Sequence, residues 1–345
     1  MAINYFSKAD LENNERLIFR VVQQLTFLED QLKRHNLGYR MQSKFPEGYI
    51  FIYALYGLTW IKIAQHSKAN EELKSKALQE AHSAYEFIIT EEIKQDFPAD
   101  VKPAYGIFYR GWSNYLLGQI LSLSCSPDSE LIAAFSTNCK DIAKAISDTL
   151  TPFPASYEQS CWPADAVVSV ASLKLHDQLF MVQYDSIIAH WVSRIKKKLD
   201  PKYGMIPHSA NAMDGSGLEG PRGSSMSLML IFLHEIDADF AVEQYSLFRK
   251  HFEIYRLTFP AVREFALGES VKADLDSGPI LWDVSFPGSI VSIGVTKKFG
   301  DYRLANRLSR TVDAYGMPFH LGGRYSYLFG YQPMADAFIA WARMQ

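Results

Sequence analysis

The reading of the fold turns on YIFIYALYGLTWIKIA (Tyr49–Ala64) and the stretch after it, NEELKSKALQEAHSAYEFIITEEI (Asn70–Ile93). In the first stretch apolar side chains fall on every face of a helix. In the second they recur at three- and four-residue intervals with charge between them. A helix that is apolar all round has to be surrounded, whereas one with a single apolar stripe can face water. The two stretches therefore read as an inner helix, opened by Pro46, and its outer partner.

The same alternation runs along the chain. Ile107–Leu123 is apolar and Ser129–Leu150 amphipathic; Asp165–Leu179 is apolar and Tyr184–Leu199 amphipathic. Ser224–Ile236 with Phe240–Phe252, then Ser285–Phe299 with Tyr302–Tyr315, form the next pairs. A first helix from Asn13 to about His35 carries Leu17, Val21, Leu25, Leu28 and Leu32 on one stripe, and Met334–Arg343 ends the chain. Twelve helices of alternating character predict an all-α fold, an (α/α)6 toroid or barrel of six inner and six outer helices, with residues 1–345 as one domain. An α-solenoid is the competing layout, but no repeated signature of about 34–47 residues is present. Strand signals are sparse and predict no more than a short hairpin in the loops.

Three long connections, Thr151–Pro163, Tyr203–Gly223 and Leu267–Pro287, are rich in Gly and Pro. Long connections inside a compact fold are usually functional. Each leads from an outer to an inner helix, so in a ring all three are expected at one face, around the mouth of a pocket. Aromatic residues make up 14% of the chain, enough to build a core and also line a cavity.

Each connection carries candidate chemistry. In the first, Tyr157, Glu158, Gln159, Ser160, Cys161 and Trp162 lead into Pro163, which suits a first helical turn and places Asp165 beside a helix N-terminus. Asp165 either complements the helix dipole or acts as a catalytic carboxylate, with Trp162 as a wall. In the second, His208 precedes Glu219 and Arg222, which either pair with each other or meet a ligand approaching the glycines. The third holds Asp274 and Asp276, then Trp282 and Asp283. One of these acids is expected to move a proton and the other to orient it, against the plainer reading of an Asx-turn. At the head of an apolar helix, Tyr105, Tyr109, Arg110 and Trp112 are expected to shape the cavity or to serve as core. Asp165, Asp276, Glu219 and Glu158 are thus the catalytic candidates. The binding candidates are Tyr105, Tyr109, Trp112, Trp162, His208 and Arg222, together with Asp274, Trp282 and Asp283 on the third loop.

Several chemistries are disfavoured. No GxSxG, HExxH, GxGxxG or phosphate-loop motif is present, and the Asp274–Asp276 region lacks the rest of an EF-hand. No metal or cofactor is expected. A formal net charge of -3 with evenly spread charges offers no stripe for nucleic acid or anionic membrane, and no segment approaches a membrane span. Cys125, Cys139 and Cys161 show no pairing or zinc spacing. They favour a cytoplasmic setting slightly, and leave open a periplasmic enzyme without disulfides whose leader has been removed.

These segments resemble the linalool dehydratase-isomerase family, whose fold is an (α/α)6 toroid. Tyr109-Arg110-Gly111-Trp112 with Asn114 and Leu117-Gly118 is similar to the family's Tyr-Lys-Gly-His segment. Leu199-Asp200-Pro201 with Gly204 looks like its Asp-Pro turn. Ile236-Asp237 through Tyr245, Phe248 and Phe252 follows its helix landmarks, and Val262-Arg263-Glu264, Ala273-Asp274 and Phe299-Gly300-Asp301 also fit. The family places two cysteines and a histidine around its substrate. Here Asp165 stands where the second cysteine would be, Ser156 near the first with Glu158 close by, and Trp112 at the histidine position. The resemblance implies the ring, a pocket, a small-molecule substrate and a homo-oligomer, and it does not carry over thiol chemistry.

Three functions follow as expectations. The leading one is a lyase or isomerase using carboxylate acid/base chemistry on a hydroxylated or unsaturated, terpenoid-like substrate. The alternatives are a carbohydrate-active enzyme, such as a glycoside hydrolase or sugar epimerase, and a non-catalytic binding scaffold.

Overall fold

The computed structural model describes residues 14–66, 68–124, 126–157, 161–269, 273–274 and 277–345. Among these residues fourteen α-helices carry the fold. The first are α1 (Asn14–Arg34), α2 (Leu37–Gln42), α3 (Gly48–Gln65), α4 (Glu71–Ile88) and α5 (Glu91–Lys94). Then come α6 (Gly106–Leu123), α7 (Ser129–Asp148), α8 (Pro163–Leu179) and α9 (Asp185–Lys196). Strands β1 (Ser209–Ala210) and β2 (Gly217–Glu219) precede α10 (Gly223–Ile236) and α11 (Ala238–Phe252). Strands β3 (Glu253–Arg256), β4 (Phe259–Arg263) and β5 (Val284–Ser285) lead to α12 (Phe286–Lys298) and α13 (Tyr302–Gly316). The hairpin β6 (Phe319–Leu321) and β7 (Arg324–Ser326) precedes α14 (Pro333–Met344). The boundaries follow the sequence reading to within a few residues, except that the short α2 is not expected from it and the long polar partner after α3 breaks at Ile89–Thr90 into α4 and the short α5.

The chain forms two compact units, residues 82–250 and residues 1–81 with 251–345. In the first of these, α8 packs against α6 and α10, and all three are buried around most of their circumference. The amphipathic α7 covers both α6 and α8, and α9 covers α8 and α7. The close approach of α6 to α8 requires glycine at Gly111, where a Cβ would lie 2.2 Å from Ser169 Oγ. Ser169 Oγ in turn donates to the Ile107 carbonyl at 2.9 Å, tying the first turns of α6 to α8.

In the other unit α14 packs against α3, α12 and α1, and α12 also packs against α13. Helices α3 and α12 are buried on nearly every face, as their all-round apolar sequences demand. A buried polar network fastens α14: Arg343 donates to Asp313 Oδ1 at 2.7 Å and to Ser309 Oγ at 3.1 Å, and Tyr327 Oη also donates to Asp313. Strand content exceeds the expected short hairpin, because β3, β4 and β5 form a three-stranded antiparallel sheet. Its β3–β4 turn, Leu257-Thr258, has both residues at positive φ (48° and 73°) without any glycine. A turn built without Asn or Gly carries no local signal in the chain.

Candidate active site

Asp165 sits in the first turn of α8, with Pro163 in the same turn and Trp162 as the N-cap residue. The segment before it is built onto α6. Ile107 N donates to the Ala155 carbonyl at 2.9 Å, and Gly106, at φ 80°, passes so close to the Ser156 carbonyl that a Cβ would clash. Ser156 Oγ then accepts from Trp162 N at 3.0 Å, closing the loop on itself. The result is a carboxylate only 7% exposed, in the favourable field of a helix N-terminus. Beside it, Tyr157 and Trp162 stack with centroids 5.1 Å apart and planes tilted by 34°. Both rings are half-buried, so each keeps some surface for a ligand.

The second loop joins this one through backbone pairing. Ala210 N donates to the Cys161 carbonyl at 2.9 Å, and Ser209 pairs with Glu219 across the β1–β2 hairpin. His208 is buried, and its amide reaches the carbonyls of Glu219 and Gly220, each at 3.2 Å. Glu219 is ion-paired with Arg222, whose guanidinium is almost wholly buried while the carboxylate is half exposed. Ser209 Oγ also approaches Glu219 Oε1 at 3.4 Å. The backbone pairing of Cys161 with Ala210 thus ties the loop that leads into Asp165 to the one that carries His208, Glu219 and Arg222. Burial, and then the charge of Asp165, push the Cys161 thiol up to about 11, and burial pushes Cys139 up to about 12. Neither described cysteine is a ready nucleophile, because the thiolate is the reactive form.

Tyr105 and Tyr109 stand at the head of α6, where Gly106 packs against the Ser156–Tyr157 backbone. Tyr105 is half-buried at φ 71°, edge-on to Tyr109 and covered by the Arg110 guanidinium. The Tyr109 hydroxyl donates to the Ile88 carbonyl at 3.3 Å, and burial raises its phenol well above the usual range. The Arg110 guanidinium donates to the Ala104 carbonyl at 2.9 Å and to Asn138 Oδ1 at 2.5 Å. Trp112 has no exposed surface and stands edge-on to Phe232, which corrects its placement on a cavity wall: it is core. Asp274 accepts from Ser277 N at 2.9 Å, the turn that competed with the catalytic reading. Trp282 is 72% exposed at φ 52°, and Asp283 pairs with Arg256 at 2.8 Å. These last residues belong to the unit formed by residues 1–81 and 251–345 and are described within it alone. Glu158 and Asp276 lie outside the described residues. Among the described residues no three His, Cys, Asp or Glu side chains gather as metal ligands, and no helix is long and apolar enough to cross a membrane.

Sequence reasoning underused two residues. Ser156, noted only for its position, is the clasp that sets Trp162; Arg263, noted only as a landmark, is a buried guanidinium without a partner among the described residues. Neither shows in a local pattern, because each matters through a contact or the lack of one.

The helical order and packing are those of an all-α (α/α)6 toroid. A solved structure supports this over nearly the whole chain. The protein is similar to a selenomethionine derivative of a GH76 alpha-mannanase from Bacteroides thetaiotaomicron, with a TM-score of 0.54, 10% identity, and coverage of 93% of this chain and 94% of that one. At that identity the likeness shows the fold. No family model matches the sequence, and no curated protein matches it. The toroid implied by the linalool dehydratase-isomerase resemblance therefore stands, whereas membership of that family and its terpenoid lyase chemistry find no support.

Proposed function

We propose that this protein is a carbohydrate-active enzyme of the glycoside hydrolase type, with Asp165 as the group that moves the proton. The observation that carries the reading is the joining of the two loops through Cys161 and Ala210. It links the segment that carries the stacked Tyr157–Trp162 pair and leads into the buried Asp165 to the hairpin that bears Glu219. Sugar rings present apolar C–H faces that aromatic rings cover well, while an acid/base carboxylate serves the glycosidic oxygen. The GH76 alpha-mannanase, a toroid of the same extent, lends this reading further support.

Glu219 is the first choice for the second carboxylate, and Glu158 is the other. In glycosidases a separation of about 5–5.5 Å accompanies retention and about 6.5–9.5 Å inversion, so the product anomer reports the geometry. The test is turnover of α-mannosides and a panel of other glycosides, with the product anomer followed by NMR. Asp165→Asn should lower kcat by roughly 10²–10⁴-fold with an unchanged circular dichroism spectrum. Full turnover in that variant would remove Asp165 from the mechanism, and failure of the wild type to cleave any glycoside would remove the hydrolase reading.

A further inference from the structure

Three arginines in the described chain are almost wholly buried: Arg222, Arg263 and Arg343. Two have carboxylate partners, Glu219 for Arg222 and Asp313 for Arg343. Arg263, at the end of β4, is 9% exposed and has no hydrogen bond or ion pair to its guanidinium among the described residues. Its Nε is fully enclosed without a partner.

The carboxylates closest along the strands are engaged elsewhere. Glu264, the next residue, accepts from Ser285 Oγ at 2.6 Å. Val284 pairs with Arg263 across the sheet, and its neighbour Asp283 is held by Arg256. Glu253, opposite Val262, accepts from the Tyr255 hydroxyl. A guanidinium sunk in protein without a counter-charge is costly, and such groups persist where something else supplies the charge.

We infer that Arg263 is the anchor of a binding site for a small molecule bearing a singly charged oxyanion, a carboxylate or a sulfate ester. The guanidinium fork presents parallel N–H donors that match two oxygens at once. One guanidinium balances one negative charge, whereas a phosphate monoester brings about 1.5 to 2 at neutral pH. The site lies within the unit formed by residues 1–81 and 251–345 and does not depend on the hydrolase reading.

The test follows the Nε–Hε NMR signal of Arg263, assigned by its loss in Arg263→Gln, during titration with acetate, methyl sulfate and inorganic phosphate at constant ionic strength. A saturable shift with acetate or methyl sulfate is expected, and which of the two binds more tightly distinguishes carboxylate from sulfate ester. Thermal stabilisation by that anion should require roughly thirtyfold more of it, or vanish, in Arg263→Gln. A second variant separates binding from structure. Arg263→Met removes an unpaired charge, so it should melt at or above the wild-type temperature. No shift with either monoanion, tighter binding of phosphate than of both, or a clear loss of stability in Arg263→Met would each overturn the assignment.

Discussion

Asp336 offers the sharpest test of the packing around α14. The residue is fully buried; Oδ1 accepts from Gln24 Nε2 and from Tyr327 N, each at 2.9 Å, and Oδ2 has no partner. Burial pushes its pKa up from 3.8 to about 8, against the smaller opposing pull of the two donors. The folded protein therefore keeps a proton that the unfolded chain releases above about pH 4. Stability from this group is greatest in acid and falls as pH rises through the interval from 3.8 to about 8, then levels off. At pH 7 about three pH units separate ambient from the unfolded value, a cost on the order of 4 kcal/mol. Asp336→Asn keeps the oxygen that Gln24 and Tyr327 address and cannot ionise. Urea unfolding of both proteins should show the variant more stable by about 2 kcal/mol at pH 5 and about 4 kcal/mol at pH 7, with no further gain above pH 8. A difference that stays flat with pH, or a variant that is weaker at pH 7, would refute the reasoning.

Removing Arg343 should have the opposite sign. Burial alone would raise Asp313, but Arg343, the Tyr327 hydroxyl and Arg20 outweigh it and hold the carboxyl low. Arg343→Met strands that buried charge and should cost roughly 3–5 kcal/mol in urea unfolding at pH 7. The penalty should shrink in strong acid, where Asp313 is protonated in the variant. Gly106→Ala forces a Cβ onto the Ser156 carbonyl at a φ of 80°, so its melting temperature should fall by several degrees or more. Unchanged melting would show that the loop is not held as described. In a Cys125→Ser background, Cys139 and Cys161 should react slowly with iodoacetamide at pH 8.5. Because the charge of Asp165 helps to raise the Cys161 thiol, Asp165→Asn should speed alkylation at Cys161, and equal rates would separate the two residues. Glu219→Gln breaks an ion pair whose carboxylate is half exposed. Because the Arg222 guanidinium is almost wholly buried, the loss of its counter-charge should cost roughly 1–3 kcal/mol while glycoside turnover falls, and full turnover in the variant would make Glu219 structural.

The fold was largely legible in the chain because burial demand is written locally. The apolar faces of α3, α6, α8, α10 and α12 state that something must surround them, and the stripes of α1, α7 and α13 state what can face water. The same local logic placed Asp165 in a first helical turn, where Pro163 announces it. What periodicity could not give was the fate of a polar group, which depends on partners far away in sequence. It took the tertiary structure to join Cys161 to Ala210, to send the Tyr109 hydroxyl to Ile88, and to enclose Trp112 against Phe232. Likewise, Arg343 and Arg263 are equally charged letters in the sequence. Packing put Asp313 beside one and, among the described residues, gave the other no ion pair, because the balance of charge in a protein interior is set by where distant chain segments cross.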